Sequence, residues 1–480
     1  MNSSENIKKE IDLENASEYS LAKKISYGSL WFTDATILAF FGLVVFYFYE
    51  VEVGLDVTLV AVAFVIFAIW NMINDPLLGY LTEKPRAQKL IMKYGFRTPL
   101  ILISDIFLII IFFLIFLPPG GTGEPNQMAI FLYMVILVCL MDAFYTIYNS
   151  HMAAGAINMF TKDEDRRKVG AIAIILSALG TVAVSAIIVP NFIVYGNRQS
   201  FVIAAGMTAV VMVINIIVYS YGIIEPKNVK EYYITGRDIE KGEQISMMEV
   251  IKTALKNKNF VVYITTFLFF AIAYNLFYAS QVYFYKDVLN VDFSYFMYGM
   301  IAFFVGFLIG MVLWLNIAKK YGHSNVYGVG YILFGCVFFT FLWVTTIMEL
   351  YIYMFIGGIM YAASASILLP VQGDTYDEIT SKIGVHQEAT LQGITNFFIR
   401  VAYLFVGVII AVVHIMTDYN PDPYATQGPL AILGVRIHSG LIPAIFLIIG
   451  GLSFLLIYDL KGDKRLKMKE QLKKIMEGNV

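Results

Sequence analysis

The chain has 480 residues, 59% of them hydrophobic and 15% charged, with a mean hydropathy of +0.70 and a formal net charge of −2. Apolar stretches of about 20 residues recur along it, each enough to cross the ~30 Å hydrocarbon layer of a bilayer. These values exclude a water-soluble protein and point to an all-α, multi-pass membrane protein with lipid as its surroundings and no nucleic-acid partner.

Residues 1–26 are of mixed charge and lack an apolar core followed by small residues, so they read as a cytoplasmic N-terminal segment with no cleaved signal peptide. Spans follow at roughly 27–49, 57–80, 98–117, 128–157, 169–195, 200–223, 260–285, 295–318, 326–346, 350–370, 389–415 and 430–458, twelve in all. Residues 225–258, with Pro226, Gly236, Gly242 and seven basic residues, read as a polar linker between a 27–224 bundle and a 259–458 bundle of six helices each. Residues 459–480 form a basic tail, expected to be drawn to anionic lipid. Both cysteines, Cys139 and Cys336, fall inside apolar runs, which argues against a structural disulfide.

The termini, the linker and the even-numbered connections carry 30 of the 34 lysines and arginines. The odd-numbered connections hold Arg198 and Lys286, Arg436 lies near one end of the last span, and Arg400 lies within span eleven. By the positive-inside rule both termini are expected in the cytoplasm, in a plasma membrane. KYGFRTPLILI (93–103) after span two and KYGHSNVYGVG (320–330) after span eight stand 227 residues apart at matching places, as a repeat of six spans requires.

The most informative stretch is WNMINDPLLGYLTEKPR (70–86), which sets a carboxylate at the inner end of an apolar run. Asn71 and Asp75 are four residues apart and share a helix face, with Asn74 beside them. One carboxylate and two amide oxygens can therefore converge on a small cation. A carboxylate inside a span is costly unless paired, hydrated or ligating. The alternative is a hydrated helix end shaped by Pro76.

The arrangement resembles the major facilitator superfamily, and within it the glycoside-pentoside-hexuronide:cation symporter family. KISYG (24–28), VGL (53–55), WNMINDPLLGY (70–80) with Glu83, Arg86, Gly95, Arg97 and Pro99, AYN (273–275), GDTYDEITSKIGVHQEATLQG (373–393) and LGVR (433–436) with Pro443 and Tyr458 carry the likeness. It implies a twelve-helix fold in two pseudo-symmetric bundles and solute transport by alternating access, probing neither the solute nor the ion. The departures matter too. Asn71 stands where the family usually has an aspartate, and Asn149, Ala153 and, approximately, Ala173 stand where its sugar transporters have an aspartate, a tryptophan and an arginine. The helix-one lysine–aspartate pair aligns with Asp34 and Ala35, so galactoside specificity does not carry over.

On the helices that line the central cavity of this fold, the polar candidates for solute binding are Asp34, Asp142, Tyr145, Asn149, Tyr274, Asn275, Tyr278, Asn396 and Arg400. Asp142, Tyr145 and Asn149 follow at spacings of three and four and form one stripe; packing between helices is the competing role for all of these residues. His151 and His414 read as packing or interfacial residues. Glu83, Arg86, Arg97, Asp163, Arg166 and Arg167 are candidate gating charges, with a solvated loop as the alternative. Arg400 aligns with a helix-eleven lysine of the family. If it met Asp75, a monovalent cation there would make the site net positive; if Asp142 or Asp34 neutralised it, Asp75 would hold Na⁺ or a proton.

The expected function is secondary transport of a small polar, sugar-like solute by a monomer, coupled to Na⁺ or H⁺. No cofactor is expected, and no metal beyond Na⁺ at Asp75. A lysolipid transporter, an uncoupled facilitator and a transporter-like sensor are the alternatives. No HExxH, GxSxG or paired-aspartate pattern and no nucleotide-binding glycine loop supports an enzyme or a primary pump.

Overall fold

A computed structural model describes residues 19–82, 88–120, 126–235, 247–384 and 388–476. Among the described residues twelve helices are long and apolar enough to span a membrane. They are α1 (Leu21–Glu52), α2 (Val57–Thr82), α3 (Thr98–Ile115), α4 (Gln127–Met159), α5 (Glu164–Phe192) and α6 (Arg198–Ser220), then α7 (Lys258–Val288), α8 (Phe293–Tyr321), α9 (His323–Leu342), α10 (Ile347–Ile383), α11 (Thr390–Met416) and α12 (Pro429–Ile457). Each corresponds to one expected span. The linker is not featureless, since it contains the short helices Lys227–Thr235 and Met247–Lys256.

Several helix starts follow from local chemistry. The Asn126 side chain accepts from the Ala129 amide at the head of α4, and that of Asn257 accepts from the Asn259 and Phe260 amides at the head of α7. Thr346 and Glu349 cap each other reciprocally at the start of α10. Four spans contain a wide π turn, at Phe48–Glu52, Ala183–Ile188, Phe284–Val288 and Ile437–Leu441. Such turns often accompany functional positions because they re-aim side chains within a continuous helix.

The chain forms two compact units, one of residues 1–41 with 69–242 and one of residues 42–68 with 243–480. In the first, α3 packs along α4 and α6, and the start of α1 lies on α5. Gly180 lets α5 approach the backbone at Phe32, where a Cβ would overlap the Phe32 carbonyl oxygen. In the second, α8 packs along α10, α9 along α10 and α12, and α7 along α11 and α12. A Cβ on Gly306, Gly310 or Gly358 would collide with the facing backbone, so these glycines set the close approach of α8 and α10. The opposite side of α8 exposes Ile301, Val305, Leu308 and Val312, as a lipid-facing helix should.

Charges gather around helix ends. In the first unit, buried Lys24 pairs with buried Asp165. Glu225 accepts from the backbone amides of Phe96 (2.5 Å) and Arg97 (3.0 Å). Burial pushes the Glu225 carboxyl up, against the lowering effect of those two amides. In the second unit the helix Gly462–Met476 joins the bundle through Arg465 and Lys469, at 2.6 and 3.4 Å from Asp374. The basic tail is thus partly bound to protein carboxylates. Asp459 is pushed up by burial but held well below the usual carboxylate range by Lys258, Lys464 and Asn259.

Candidate functional site

The end of α2 and the middle of α4, both in the first unit, bring together the helix-two block and part of the helix-four stripe. Asn71 Nδ2 donates to Asp142 Oδ1 at 2.6 Å, and Asn74 Nδ2 donates to Asp142 Oδ2 at 3.0 Å. Asn74 Nδ2 also donates to Thr146 Oγ1 at 2.9 Å, and that hydroxyl donates to Asp75 Oδ1 at 2.6 Å. Asn71, Asn74, Asp142 and Thr146 are each no more than 2% exposed, while Asp75 is half-buried.

A carboxylate only accepts, so contact with Asp142 fixes both amides with their nitrogens toward it. Their carbonyl oxygens, Asn71 Oδ1 and Asn74 Oδ1, are then left buried without a hydrogen-bond partner. Buried amide oxygens with no hydrogen-bond partner, on the residues that hold Asp142 and flank Asp75, are neutral oxygen ligands of the kind a hard cation takes. Among the described residues no group of three or more His, Cys, Asp or Glu side chains is arranged to hold a metal ion, so a thiolate- or imidazole-type centre is not built here.

The stripe on α4 is divided between two carboxylates. Asp142 turns to α2, whereas Tyr145 and Asn149 turn to α1, where the Tyr145 hydroxyl and Asn149 Nδ2 each donate to Asp34 Oδ1 at 2.8 Å. The three side chains of this second group are half-buried. Asp142, one turn before Thr146 on α4, brings a second carboxylate to the residues around Asp75, where α2 itself offers Asn71. Thr146 escaped the sequence reading, although its position four residues after Asp142 was the available signal.

The remaining candidates lie in the second unit or at helix ends. Tyr274 and Tyr278 are neighbours on α7 with ring centroids 4.9 Å apart. Asn275 Nδ2 donates to Ala271 O within its own helix at 2.8 Å, so that donor serves the helix. Asn396 is exposed and accepts from Gln392 Nε2 at 2.9 Å; Arg400 is half-buried on α11.

Of the gating candidates, Glu83 and Arg86 lie outside the described residues, as does the Asp163 side chain. Arg97 is buried, donating from Nε to the Tyr233 hydroxyl and meeting His151 Nδ1, each at 2.9 Å. A guanidinium only donates, so His151 Nδ1 accepts and Nε2–H donates to Thr82 Oγ1, 2.9 Å away. His151 is therefore a neutral structural imidazole. Arg166 donates to the Phe160 carbonyl at 3.2 Å, and Arg167 is exposed. Among the described residues, ion pairs in this region join Lys24 to Asp165 and Lys168 to Glu164 (2.7 Å), none of them in the sequence-based set.

Comparison with known proteins identifies the family. The sequence profile of the family described as MFS/sugar transport protein matches residues 25–462. The chain belongs to that family. Among the relatives of this MFS/sugar transport protein, an uncharacterized symporter, YjmB of Bacillus subtilis (strain 168), is 23% identical over 469 residues, covering 97% of this chain and 98% of the relative. The raffinose carrier protein of Pediococcus pentosaceus is 22% identical over 59% of this chain, which spans 42% of that carrier's length. The sodium-dependent lysophosphatidylcholine symporter 1 of Xenopus tropicalis is 22% identical over 43% of each chain. The nucleoside transporter NupG has the same fold, with a TM-score of 0.61 over 92% of this chain and 100% of that one at 13% identity. The relatives and fold neighbours are transporters and not enzymes, and the fold is the major facilitator fold.

Proposed function

We propose that this protein is a secondary transporter that moves a small polar, sugar-like solute by alternating access and couples that movement to a monovalent cation. The observation that carries the reading is the pair of unmet amide oxygens, Asn71 Oδ1 and Asn74 Oδ1, on the two residues whose amide nitrogens hold Asp142. In this reading the cation takes those two oxygens with the carboxylates of Asp75 and Asp142 and the Thr146 hydroxyl. Asp34 with Tyr145 and Asn149 forms the adjoining solute contact. Its carboxylate, phenol and amide offer the acceptors and donors that hydroxyl groups require.

Both occupants would meet α4, which carries Asp142 and Thr146 on one side and Tyr145 and Asn149 on the other. Cation binding that draws Asn71 and Asn74 toward the ion would shift Asp142, and with it the α4 turn that presents Tyr145. Such a shared element is what thermodynamic coupling between two ligands needs. The basic-residue distribution supports cytoplasmic termini in this reading, which takes the single chain as the working unit.

A lysolipid is the second reading. It is supported by the sodium-dependent lysophosphatidylcholine symporter among the relatives and by an apolar groove of about 260 Å³ between α9 and α10, lined by Leu333, Cys336, Val337, Thr340, Tyr353, Ile356 and Met360. Uptake into vesicles containing the purified protein decides between them, using labelled raffinose and labelled lysophosphatidylcholine under an imposed Na⁺ or H⁺ gradient. Gradient-driven raffinose uptake supports the polar-solute reading, lysolipid uptake alone replaces it, and binding of either without flux would mark a sensor.

A further inference from the structure

A second set of titratable side chains lies in the second compact unit, apart from the candidate cation site. Glu50 and His438 each sit in a π turn, of α1 and α12 respectively, and His414 lies near the end of α11. Glu50 and His414 are 2% exposed and His438 is 0% exposed. His414 Nδ1 is 2.7 Å from Glu50 Oε1, His414 Nε2 is 3.2 Å from His438 Nε2, and His438 Nδ1 is 2.7 Å from Ser280 Oγ. Ser280 Oγ is 2.6 Å from the Leu276 carbonyl, and the Tyr283 hydroxyl donates to Glu50 Oε2 at 2.5 Å.

Proton counting allows this chain two proton contents, one neutral and one anionic. Among the neutral arrangements, the one with the imidazolium on His414 sets opposite charges in contact at Glu50 and is taken as the first state. The contact between the two Nε2 atoms needs one donor and one acceptor, so the imidazoles cannot both carry a proton there. In the first state Ser280 donates to Leu276 O, His438 Nδ1–H donates to Ser280, His414 Nε2–H donates to His438, and His414 Nδ1–H faces Glu50. His414 is then cationic, Glu50 anionic, and the set neutral. In the second state one proton has left: Ser280 donates to His438 Nδ1, His438 Nε2–H donates to His414, and His414 Nδ1–H donates to Glu50. The contacts from Ser280 through both imidazoles to Glu50 are again met, the Ser280 bond to the Leu276 carbonyl is given up, and the set carries one buried negative charge. The interchange moves the Nε2 proton from His414 to His438, releases the His438 Nδ1 proton and rotates the Ser280 hydroxyl, so the two states differ by a single proton.

The surrounding groups leave that charge to the cluster. From α1, Tyr47 packs on Tyr283 with ring centroids 4.9 Å apart. Beyond the end of α11, Tyr419 stacks on His414 at 4.1 Å and donates its hydroxyl to Asp287 at 2.8 Å. Lys286 of α7 is 3.2 Å from Asp287, a mutually neutralising pair. Arg436 of α12 donates to the carbonyls of Phe341 and Leu342 at 3.0 and 3.1 Å.

We propose that Glu50, His414 and His438 form a binding site for one proton, and that this proton fastens the end of α1 to α11 and α12. With the proton bound the cluster is a neutral, fully hydrogen-bonded join. With it gone, a buried anion favours separation of α1 and entry of water. Use of this proton in a transport cycle rests on the function proposed above, whereas the proton site itself does not.

The test is ¹⁵N magic-angle-spinning NMR of the full chain, labelled at histidine and held in lipid, between pH 5 and 9. The expected result is that two of the five histidines change together at one midpoint. One loses its second ring proton while the other moves its proton from Nδ1 to Nε2; His414→Gln and His438→Gln assign them. Glu50→Gln should hold both rings in the high-pH pattern throughout, and Asp75→Asn should leave the step in place. Separate midpoints, no change across the range, or a step that survives Glu50→Gln would each overturn the proposal. Should Glu50→Gln fail to fold, the parent spectra alone decide, because joint and separate titration look different without it. A normal histidine step with no cation-driven uptake would sink the transport reading and leave this site standing.

Discussion

Replacing Asp142 by asparagine removes one charge from a buried cluster and keeps its shape. At an effective dielectric of about 20, a carboxylate about 4 Å from a monovalent cation contributes roughly 4 kcal/mol of attraction. Losing it should weaken cation affinity about 10³-fold. The fold should suffer far less. Asparagine keeps one acceptor for the Asn71 and Asn74 amides, so the variant gives up one charge-assisted hydrogen bond, about 1.5–3 kcal/mol, while removing the cost of a buried carboxylate. The assay is thermal unfolding of purified protein at constant ionic strength, with Na⁺ or Li⁺ exchanged for choline. At a cation concentration about 100 times its Kd the parent gains about 2.7 kcal/mol. A variant with 10³-fold weaker affinity gains less than about 0.1 kcal/mol by the same relation. Asp142→Asn should thus unfold near the parent's cation-free temperature and show no cation shift, and Asp34→Asn should retain the shift. If Asp142→Asn keeps the full shift, or Asp34→Asn loses it, the division of the α4 stripe between ion and solute is wrong.

Thr146→Val removes the hydroxyl that joins Asn74 to Asp75 and should lower the cation-induced shift, with a stability cost of about 1–3 kcal/mol for the unmet partners, read in the same unfolding assay. Gly358→Ala pushes a Cβ into the Phe303 carbonyl of α8 and should destabilise by about 1–3 kcal/mol without changing the cation shift. The Glu225 carboxyl is raised by burial, so the native state holds its proton to higher pH than the unfolded chain does. The stability it contributes is present below the ordinary carboxylate pKa and is lost as pH rises through the raised one. Glu225→Gln should flatten that decline in a pH series of unfolding temperatures.

The twelve helices were legible because lipid demands long apolar runs with internally satisfied backbones, and that demand is written locally in the sequence. The α2 block was legible for the same reason in reverse, since Asn71, Asn74 and Asp75 interrupt such a run. Partner choice was not local. Asp142, Tyr145 and Asn149 share one helical stripe, yet the azimuth of α4 between α1 and α2 sends Asp142 one way and the other two residues the other. The Glu50 cluster was hidden by a boundary: a first span ending at residue 49 leaves Glu50 in a hydrated loop, whereas the π turn at Phe48–Glu52 carries the helix past it and buries the carboxylate. His438 lies next to the LGVR motif, and its meaning appears only where α7, α11 and α12 converge.

Uphill accumulation separates a coupled transporter from a passive one. Vesicles containing the parent protein should concentrate a labelled transported solute above equilibrium when a Na⁺ or H⁺ gradient is imposed, and should exchange it across the membrane when none is. Asp75→Asn should lose the accumulation and keep the exchange, because the solute contacts at Asp34, Tyr145 and Asn149 are untouched. An Asp75→Asn protein that accumulates solute as the parent does would contradict a cation site at the end of α2.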